Sequence, residues 1–305
     1  MDYKLIRKQI IISIFAVDEL FETMVLKGGN ALMAYGISTR TSKDIDFSIE
    51  DDWRENSEHY SQLIEKSLIK NFDDIGFYLF DYKFLKSPKI MSEDKEGFWG
   101  GYTVVFKLID KKLKKEIEKK CTDQEKIIEN LRKQAKNISQ NDNSKKFHID
   151  ISKFEICNHK DLMIDENFNY IPIHIYSKAA LVIEKLRAIC QQSHYYQELL
   201  KVSRRPRARD FYDIYEIIEQ SFQDTRKDSI NFFSNNDISL IKEIFKIKKV
   251  PLELLKKIET DRNFHKSSAN NLFEQIEVAI EHEEFDYYFD YVADLGKKLF
   301  KKIDQ

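Results

Sequence analysis

Apolar residues recur at helical spacing over residues 3–24, with Ile6, Ile10, Ile14, Val17 and Phe21 on one stripe, so an amphipathic helix is expected to open the chain. Val25-Leu26-Lys27 then reads as a short strand. The pair Gly28-Gly29 breaks it, and Asn30 is placed to cap a helix running from Ala31 to Tyr35 and ending at Gly36. Asp44-Ile45-Asp46-Phe47-Ser48-Ile49 alternates polar and apolar positions, the period of a strand buried on one face, and residues 55–72 return to helical spacing. Residues 76–84 and 102–109, rich in aromatic and branched side chains, read as two further strands around a polar loop at 88–101. The Lys-, Glu-, Asn- and Gln-rich run at 111–146 reads as an exposed helix followed by a loop at 137–146. Alternation returns in Phe147-His148-Ile149-Asp150-Ile151-Ser152, and 171–175 reads as an edge strand. Only helical periodicity follows, at 177–192, 208–220, 237–247, 252–259, 268–282 and 285–303. The expected fold class is α+β: a small mixed sheet with helices in residues 1–176, then a helical domain in residues 177–305.

Composition narrows the classes open to such a chain. A hydrophobic fraction of 42% supports a buried core and excludes a disordered chain, while only 8 Gly and 4 Pro favour long helices. Acidic and basic residues nearly cancel, 52 against 50, so no global field draws the molecule to nucleic acid or membrane, and any polyanion site must be local. Cys121, Cys157 and Cys190 are far apart and odd in number, giving neither a disulfide framework nor zinc-ligand spacing. The first residues lack a signal-peptide pattern, and no segment approaches the roughly 20 apolar residues that span a bilayer. A soluble, cytoplasmic protein without a membrane partner is the expectation.

Chemistry concentrates at two short motifs. Alternation places Asp44 and Asp46 on one strand face, with Ile45, Phe47 and Ile49 opposite. Adjacent carboxylates repel unless a cation lies between them, and Mg²⁺ with oxygen ligands suits such a pair. Ahead of them, Gly28-Gly29 makes a side-chain-free turn whose backbone N–H groups, at a helix N-terminus, can approach a triphosphate. A Gly-Gly turn or an Asp-x-Asp strand alone is common in proteins that bind neither phosphate nor metal. In this order and separation they resemble the polymerase-β-like nucleotidyltransferase plan, in which a later strand adds a third carboxylate. Asp150 is the candidate, sharing a face with His148 and Ser152 opposite Phe147, Ile149 and Ile151. Three such carboxylates could hold two Mg²⁺ ions and stabilise both ends of an in-line displacement. The densest positive cluster, Arg204-Arg205-Pro206-Arg207-Ala208-Arg209, is a candidate for an RNA backbone or a triphosphate, or else a basic loop paired with acidic surface. The seven histidines form no metal set, and Tyr195-Tyr196 and Phe232-Phe233 read as packing residues.

The strings Lys-Gly-Gly-Asn-Ala-Leu leading to Asp-Ile-Asp-Phe, Glu-Lys-Leu-Arg-Ala-Ile, and Arg-Ala-Arg-Asp-Phe-Tyr-Asp-Ile-Tyr together resemble the AbiEii/AbiGii family of abortive-infection and toxin–antitoxin nucleotidyltransferases. The resemblance implies that Asp44 and Asp46 bind metal, that Lys185 contacts the nucleotide phosphates, that Asp210 joins the active site from a neighbouring helix, and that Arg40 and Ser42 are site residues. It also implies an NTP substrate, a tRNA 3′ end as acceptor, a cognate antitoxin, a role in phage defence, and a helical domain that completes the active-site cleft. Many relatives have Gly-Ser or Gly-Gly-Thr where this chain has Gly28-Gly29-Asn30, which leaves phosphate contact to backbone N–H groups and the Asn30 amide. From the residues themselves, Lys185 lies beside the apolar stripe of Ala179, Ile183, Leu186 and Cys190, where its ammonium can reach along the helix surface. A protein or small molecule as acceptor, and a non-catalytic RNA-binding or complex-forming protein that keeps the fold, are the competing readings. The intact Asp44/Asp46 pair argues against the second.

Overall fold

The computed structural model describes residues 3–37, 44–138, 143–201, 203–223, 234–274, 276 and 281–305. Its strands are β1 (Val25–Lys27), β2 (Ile45–Ser48), β3 (Phe77–Ser87), β4 (Gly101–Asp110), β5 (Phe147–Ser152), β6 (Lys160–Met163) and β7 (Ile173–Tyr176). Helices of the first half are α1 (Tyr3–Phe15), α2 (Asp18–Thr23), α3 (Gly28–Ala34), α4 (Ser57–Asp74), α5 (Glu93–Glu96), α6 (Lys111–Lys120) and α7 (Gln124–Gln134). After β7 come α8 (Lys178–Cys190), α9 (His194–Leu200), α10 (Ala208–Gln223), α11 (Asn235–Ile247), α12 (Arg262–Lys266), α13 (Ala269–Phe273) and α14 (Phe285–Ile303), with a 3₁₀ segment at Leu252–Asp261.

One mixed sheet of seven strands runs β3-β4-β5-β2-β1-β7-β6, so the α+β expectation holds, with helices dominating after β7. β2 is parallel to β5 and β1 to β7, whereas β3/β4 and β4/β5 are antiparallel. The alternation of β2 and β5 does what its period requires: Ile45, Phe47, Ile149 and Ile151 are buried, while Asp46, His148 and Asp150 on the other face are only half-buried. Phe15 of α1 packs against Phe47 at 5.8 Å between ring centroids, and Phe72 of α4 against Phe106 of β4 at 6.0 Å. Each such fully buried side chain contributes about 1.5–3 kcal/mol of hydrophobic stabilisation. The two helices are joined by Ser67, whose hydroxyl donates to the Ser13 carbonyl at 2.5 Å.

Several elements depart from the sequence pattern. The expected helix over 3–24 is two helices, because the chain is extended at Val17 (φ −114°, ψ 117°) between them. Helix α3 starts at Gly28, so Asn30 is a buried residue of its first turn and no cap. The segment expected as an edge strand at 171–175 is β7, an internal strand; the edge is β6, whose Lys160-Asp161-Leu162-Met163 shows no alternating burial. The charged run forms two helices, α6 and α7. Asp123 caps α7 by accepting from the Glu125 and Lys126 amides, and Ile109, Ile117, Ile127 and Leu131 make a small core beneath them. Residues 252–259 fall in the 3₁₀ segment, and of the helix expected at 268–282 the described part is the short α13.

The chain divides into two compact units. One comprises residues 1–26, 42–157 and 161–175, and holds most of the sheet with α1, α2 and α4 to α7. The other comprises residues 27–41, 158–160 and 176–305. Helix α3 therefore belongs with α8 to α14 although it follows β1 directly.

Gly101 tests the sheet. A Cβ there would lie 1.8 Å from the Ile151 carbonyl oxygen of β5, while a Cβ at Gly97 meets nothing within 4 Å. Gly101→Ala is expected to lower the urea-unfolding free energy by about 3 kcal/mol, the upper range for overpacking, and Gly97→Ala to change little. Equal midpoints for the two variants would show that β4 and β5 do not depend on this close approach.

Candidate active site

Parallel register sets Asp46 of β2 directly against Asp150 of β5, and antiparallel register sets Thr103 of β4 against Asp150 on its other side. Residues paired in this way share a sheet face on strands about 4.8 Å apart. Thr103 donates its hydroxyl proton to Asp150 Oδ1 at 2.7 Å, fixing one carboxylate oxygen. Asp44 lies one pleat before Asp46 and is exposed. One pleat further on, Ser48 pairs with Ser152, and the Ser48 hydroxyl is buried without a hydrogen-bond partner. Apart from the His148 imidazole, the donors along this row are oxygens, and two like charges at paired positions suit a hard divalent cation. Asp46 and Asp150 fit as its ligands. No group of three or more His, Cys, Asp or Glu is already assembled for a metal among the described residues.

Other sequence-marked residues lie in the helical unit. Gly28 has φ +67°, the left-handed region that a side chain disfavours, and Lys27 ahead of it is extended and supplies no side-chain cap. The first amides of α3 thus depend on partners other than a capping side chain. The far end of this segment is held by the Tyr35 hydroxyl, which donates to the Tyr176 carbonyl at 3.0 Å, and by Gln220 of α10, which donates to the Ile37 carbonyl at 3.0 Å.

Lys185 of α8 and Asp210 of α10 meet. Ser177 caps α8 by accepting from the Ala180 amide, and from this helix the Lys185 ammonium donates to Asp213 Oδ2 at 2.6 Å and Asp210 Oδ1 at 3.1 Å. Asp213 is 1% exposed, and Arg207 approaches the other oxygen of Asp210 at 3.6 Å. Asp213 is the site-adjacent residue that sequence reasoning left unassigned. Its signal was the spacing of three from Asp210, which places both carboxylates on one helical turn.

The arginine cluster is divided by its contacts. Arg204 donates to the Gln192 carbonyl at 2.5 Å, pairs with Asp261 and stacks over Phe264 at 3.9 Å, so its guanidinium is committed within the fold. Arg205 is exposed. The Arg207 amide donates to His265 Nδ1 at 3.1 Å. Burial, with Arg204 and Arg207 nearby, pushes the His265 pKa down to about 4. Tyr196 is fully buried and donates to the Lys248 carbonyl, a packing role, whereas Tyr195 is exposed. Arg40, Ser42, Phe232 and Phe233 lie outside the described residues. All three cysteines are free, and no helix among the described residues is long and apolar enough to cross a membrane.

A sequence profile of nucleotidyl transferase AbiEii toxins of type IV toxin–antitoxin systems matches residues 10–292. Among solved structures, the chain is similar to an H. pylori protein provisionally described as a nucleotidyltransferase, at 13% identity over 99% of this chain and 95% of that one, with a TM-score of 0.47. It is also similar to JHP933 from Helicobacter pylori, at 15% identity over 99% and 91% of the two chains and a TM-score of 0.45. An antigenic nucleotidyltransferase-like protein from Paracoccidioides brasiliensis matches at 12% identity over 83% and 91%, with a TM-score of 0.38. No curated protein sequence matches the chain.

Removing the Lys185 charge breaks the buried ion pair with Asp213, so Lys185→Met is expected to cost about 3–5 kcal/mol in chemical denaturation. The double variant Lys185→Met/Asp213→Asn removes both charges and is expected to regain most of that loss. A double variant no more stable than the single one would show that the pair is not the buried interaction. His265 makes a separate pH test. Its pKa is depressed from 6.5 to about 4, so its stabilisation is present above pH 6.5 and is lost as pH falls towards 4. About 3 kcal/mol should disappear between pH 7 and pH 4. Melting temperatures of His265→Gln should fall less steeply across that window; a slope identical to wild type would remove His265 from the acid response.

Proposed function

The chain belongs to the AbiEii nucleotidyl transferase toxin family, and we propose that it transfers a nucleoside monophosphate from an NTP to the 3′ end of a tRNA in a Mg²⁺-dependent reaction, as the toxin of an abortive-infection system. The activity class, nucleotidyltransferase, is that of the family, and a type IV system brings a cognate antitoxin. The observation that carries the metal-dependent reading is the direct pairing of Asp46 with Asp150 across β2 and β5. Like charges at paired positions favour a cation between them, and two carboxylates accept Mg²⁺ better than softer metals do.

In this reading Asp44, Asp46 and Asp150 hold Mg²⁺, which when bound neutralises charge on the α-phosphate and lowers the pKa of the attacking hydroxyl. Backbone N–H groups of Gly28 and Gly29 take triphosphate oxygens, with Asn30, Arg40 and Ser42 completing the nucleotide site. Lys185 adds a phosphate contact, and Asp210 and Asp213 hold its ammonium in place between such contacts. Thr103 keeps Asp150 oriented so that the carboxylate accepts the acceptor proton. The acceptor oxygen then bonds to the α-phosphorus as the bond to the β-phosphate bridging oxygen breaks, and pyrophosphate leaves. Arg205 and Arg207 contribute to acceptor binding, and Arg204 supports them through its contacts in the fold.

The test is incubation with each NTP labelled at the α-phosphate, Mg²⁺ and total cellular RNA. Label is expected in an RNA band of tRNA size. Asp46→Asn and Asp150→Asn should each lower the rate by at least roughly 100-fold, the scale of losing one electrostatic group in a site, with a metal-free melting temperature no lower than wild type. Label in protein or in a small molecule would overturn the tRNA assignment, and full activity of either variant would overturn the carboxylate assignment.

A further inference from the structure

Beyond the carboxylate row, the first unit contains a basic pocket of about 280 Å³ at the end of β5. Four cationic side chains line it, Arg54, Lys86, Lys89 and Lys153, against two carboxylates, Asp52 and Glu96. Its charges differ in how they are engaged. Lys153, 5% exposed, donates to Asp52 Oδ2 at 2.6 Å, and the Tyr102 hydroxyl donates to Asp52 Oδ1 at 2.5 Å. Burial alone would raise the Asp52 pKa, but the hydrogen bonds from Lys153 and Tyr102 outweigh it and hold the carboxyl below its ordinary value. Arg54 is shared between Asp52 at 3.4 Å and Glu96 at 3.1 Å. Lys86 and Lys89 have no carboxylate partner among the described residues. The pocket therefore has a fixed, ion-paired floor and two lysines whose charge no carboxylate among the described residues matches.

We propose that this pocket binds a backbone phosphate of the nucleic-acid acceptor, one or more nucleotides from the hydroxyl that reacts. Lys153 directly follows β5, three residues beyond Asp150 and about 10 Å along the chain at ~3.3 Å per residue, so the path from Asp150 to the pocket runs round the end of that strand. A polynucleotide presenting its terminal hydroxyl at Asp150 has further phosphates within that reach. The rim adds Ile90, 87% exposed beside Lys89, an aliphatic surface for a base or sugar. A triphosphate is the other source of the same chemistry. The nucleotide site assigned above uses the Gly28-Gly29 turn and Lys185, and none of those residues lines this pocket. The identity of the ligand as the acceptor rests on the transferase reading; the phosphate chemistry of the pocket does not.

Lys86→Gln/Lys89→Gln tests it on the full chain, with Lys115→Gln/Lys119→Gln, two exposed lysines of α6, as a charge-matched control. Binding of a fluorescently labelled single-stranded RNA oligonucleotide is measured by anisotropy across a salt series, independently of turnover. The pocket variant should bind about tenfold more weakly, and its log–log salt slope should fall by about 1.4, or ~0.7 for each lost single-strand phosphate contact. Transfer assays should show a raised KM for RNA, with kcat and the KM for NTP unchanged. Unaltered oligonucleotide binding, or the same loss in the control, overturns the pocket. A raised KM for NTP instead assigns it to the triphosphate and overturns the acceptor assignment. Failure of wild-type protein to label any RNA would sink the RNA-acceptor reading while leaving the oligonucleotide comparison to decide the pocket.

Discussion

The register of β2 on β5 is the constraint on which the site depends. Pairing Asp46 with Asp150 brings two like charges together where folding alone gains nothing from them, and slipping one strand by a single residue would exchange the carboxylates with the apolar set. The register is specified from the opposite face, where Ile45, Phe47, Ile149 and Ile151 are buried and Phe15 and Phe72 bring two helices onto the sheet. Gly101 allows β4 to approach β5 closely enough for Thr103 to reach Asp150. Apolar burial thus supplies the free energy that holds an electrostatically unfavourable pair.

Like-charge proximity recurs in the helical unit with a different resolution. Asp210 and Asp213 lie on one turn of α10, and Lys185 of α8 sits against both, so the carboxylates are neutralised from within the chain. A buried ammonium between two acids is held in a single geometry, whereas an exposed lysine samples many. The cost of taking these charges from water is offset by the hydrogen bonds at 2.6 and 3.1 Å, and Ser177 fixes the start of the helix that carries the lysine. The glycine turn shares this unit with Lys185, although in sequence it adjoins the Asp-x-Asp strand of the other.

Legibility in the sequence followed physical simplicity. β5 was recovered residue for residue because one buried face and one open face give a clean period of two, and α14 because a long helix with one buried stripe gives a clean period of 3.6. β6 was missed because an exposed edge strand has no buried face to impose a pattern, and the break between α1 and α2 because Val17 keeps the apolar spacing while its backbone is extended. Asn30 looked like a cap from its residue type, but the turn permitted by Gly28 starts the helix three residues before Ala31. The carboxylates could be placed on strand faces from local alternation. Their mutual pairing, and the meeting of Lys185 with Asp213, are long-range facts that spacing along the chain does not contain.

The arginine cluster and the β5 pocket show the same difference for charge. Arg204 begins the densest run of positive residues in the chain, yet its guanidinium is taken up by Asp261, Gln192 and Phe264, the acid standing 57 residues away. Lys86 and Lys89 stand out far less in the sequence, three residues apart beside a proline, and have no carboxylate partner among the described residues. At physiological salt the field of an exposed charge decays over about 8 Å, so a polyanion meets only the charges that local pairing leaves unmatched. In a chain whose acids and bases nearly cancel, lysines in a pocket without a carboxylate partner attract a phosphate more effectively than an arginine already paired, as Arg204 is with Asp261. Recognition of a large anion by such a protein is therefore set by which cations the fold leaves unpaired, and that property belongs to the tertiary structure.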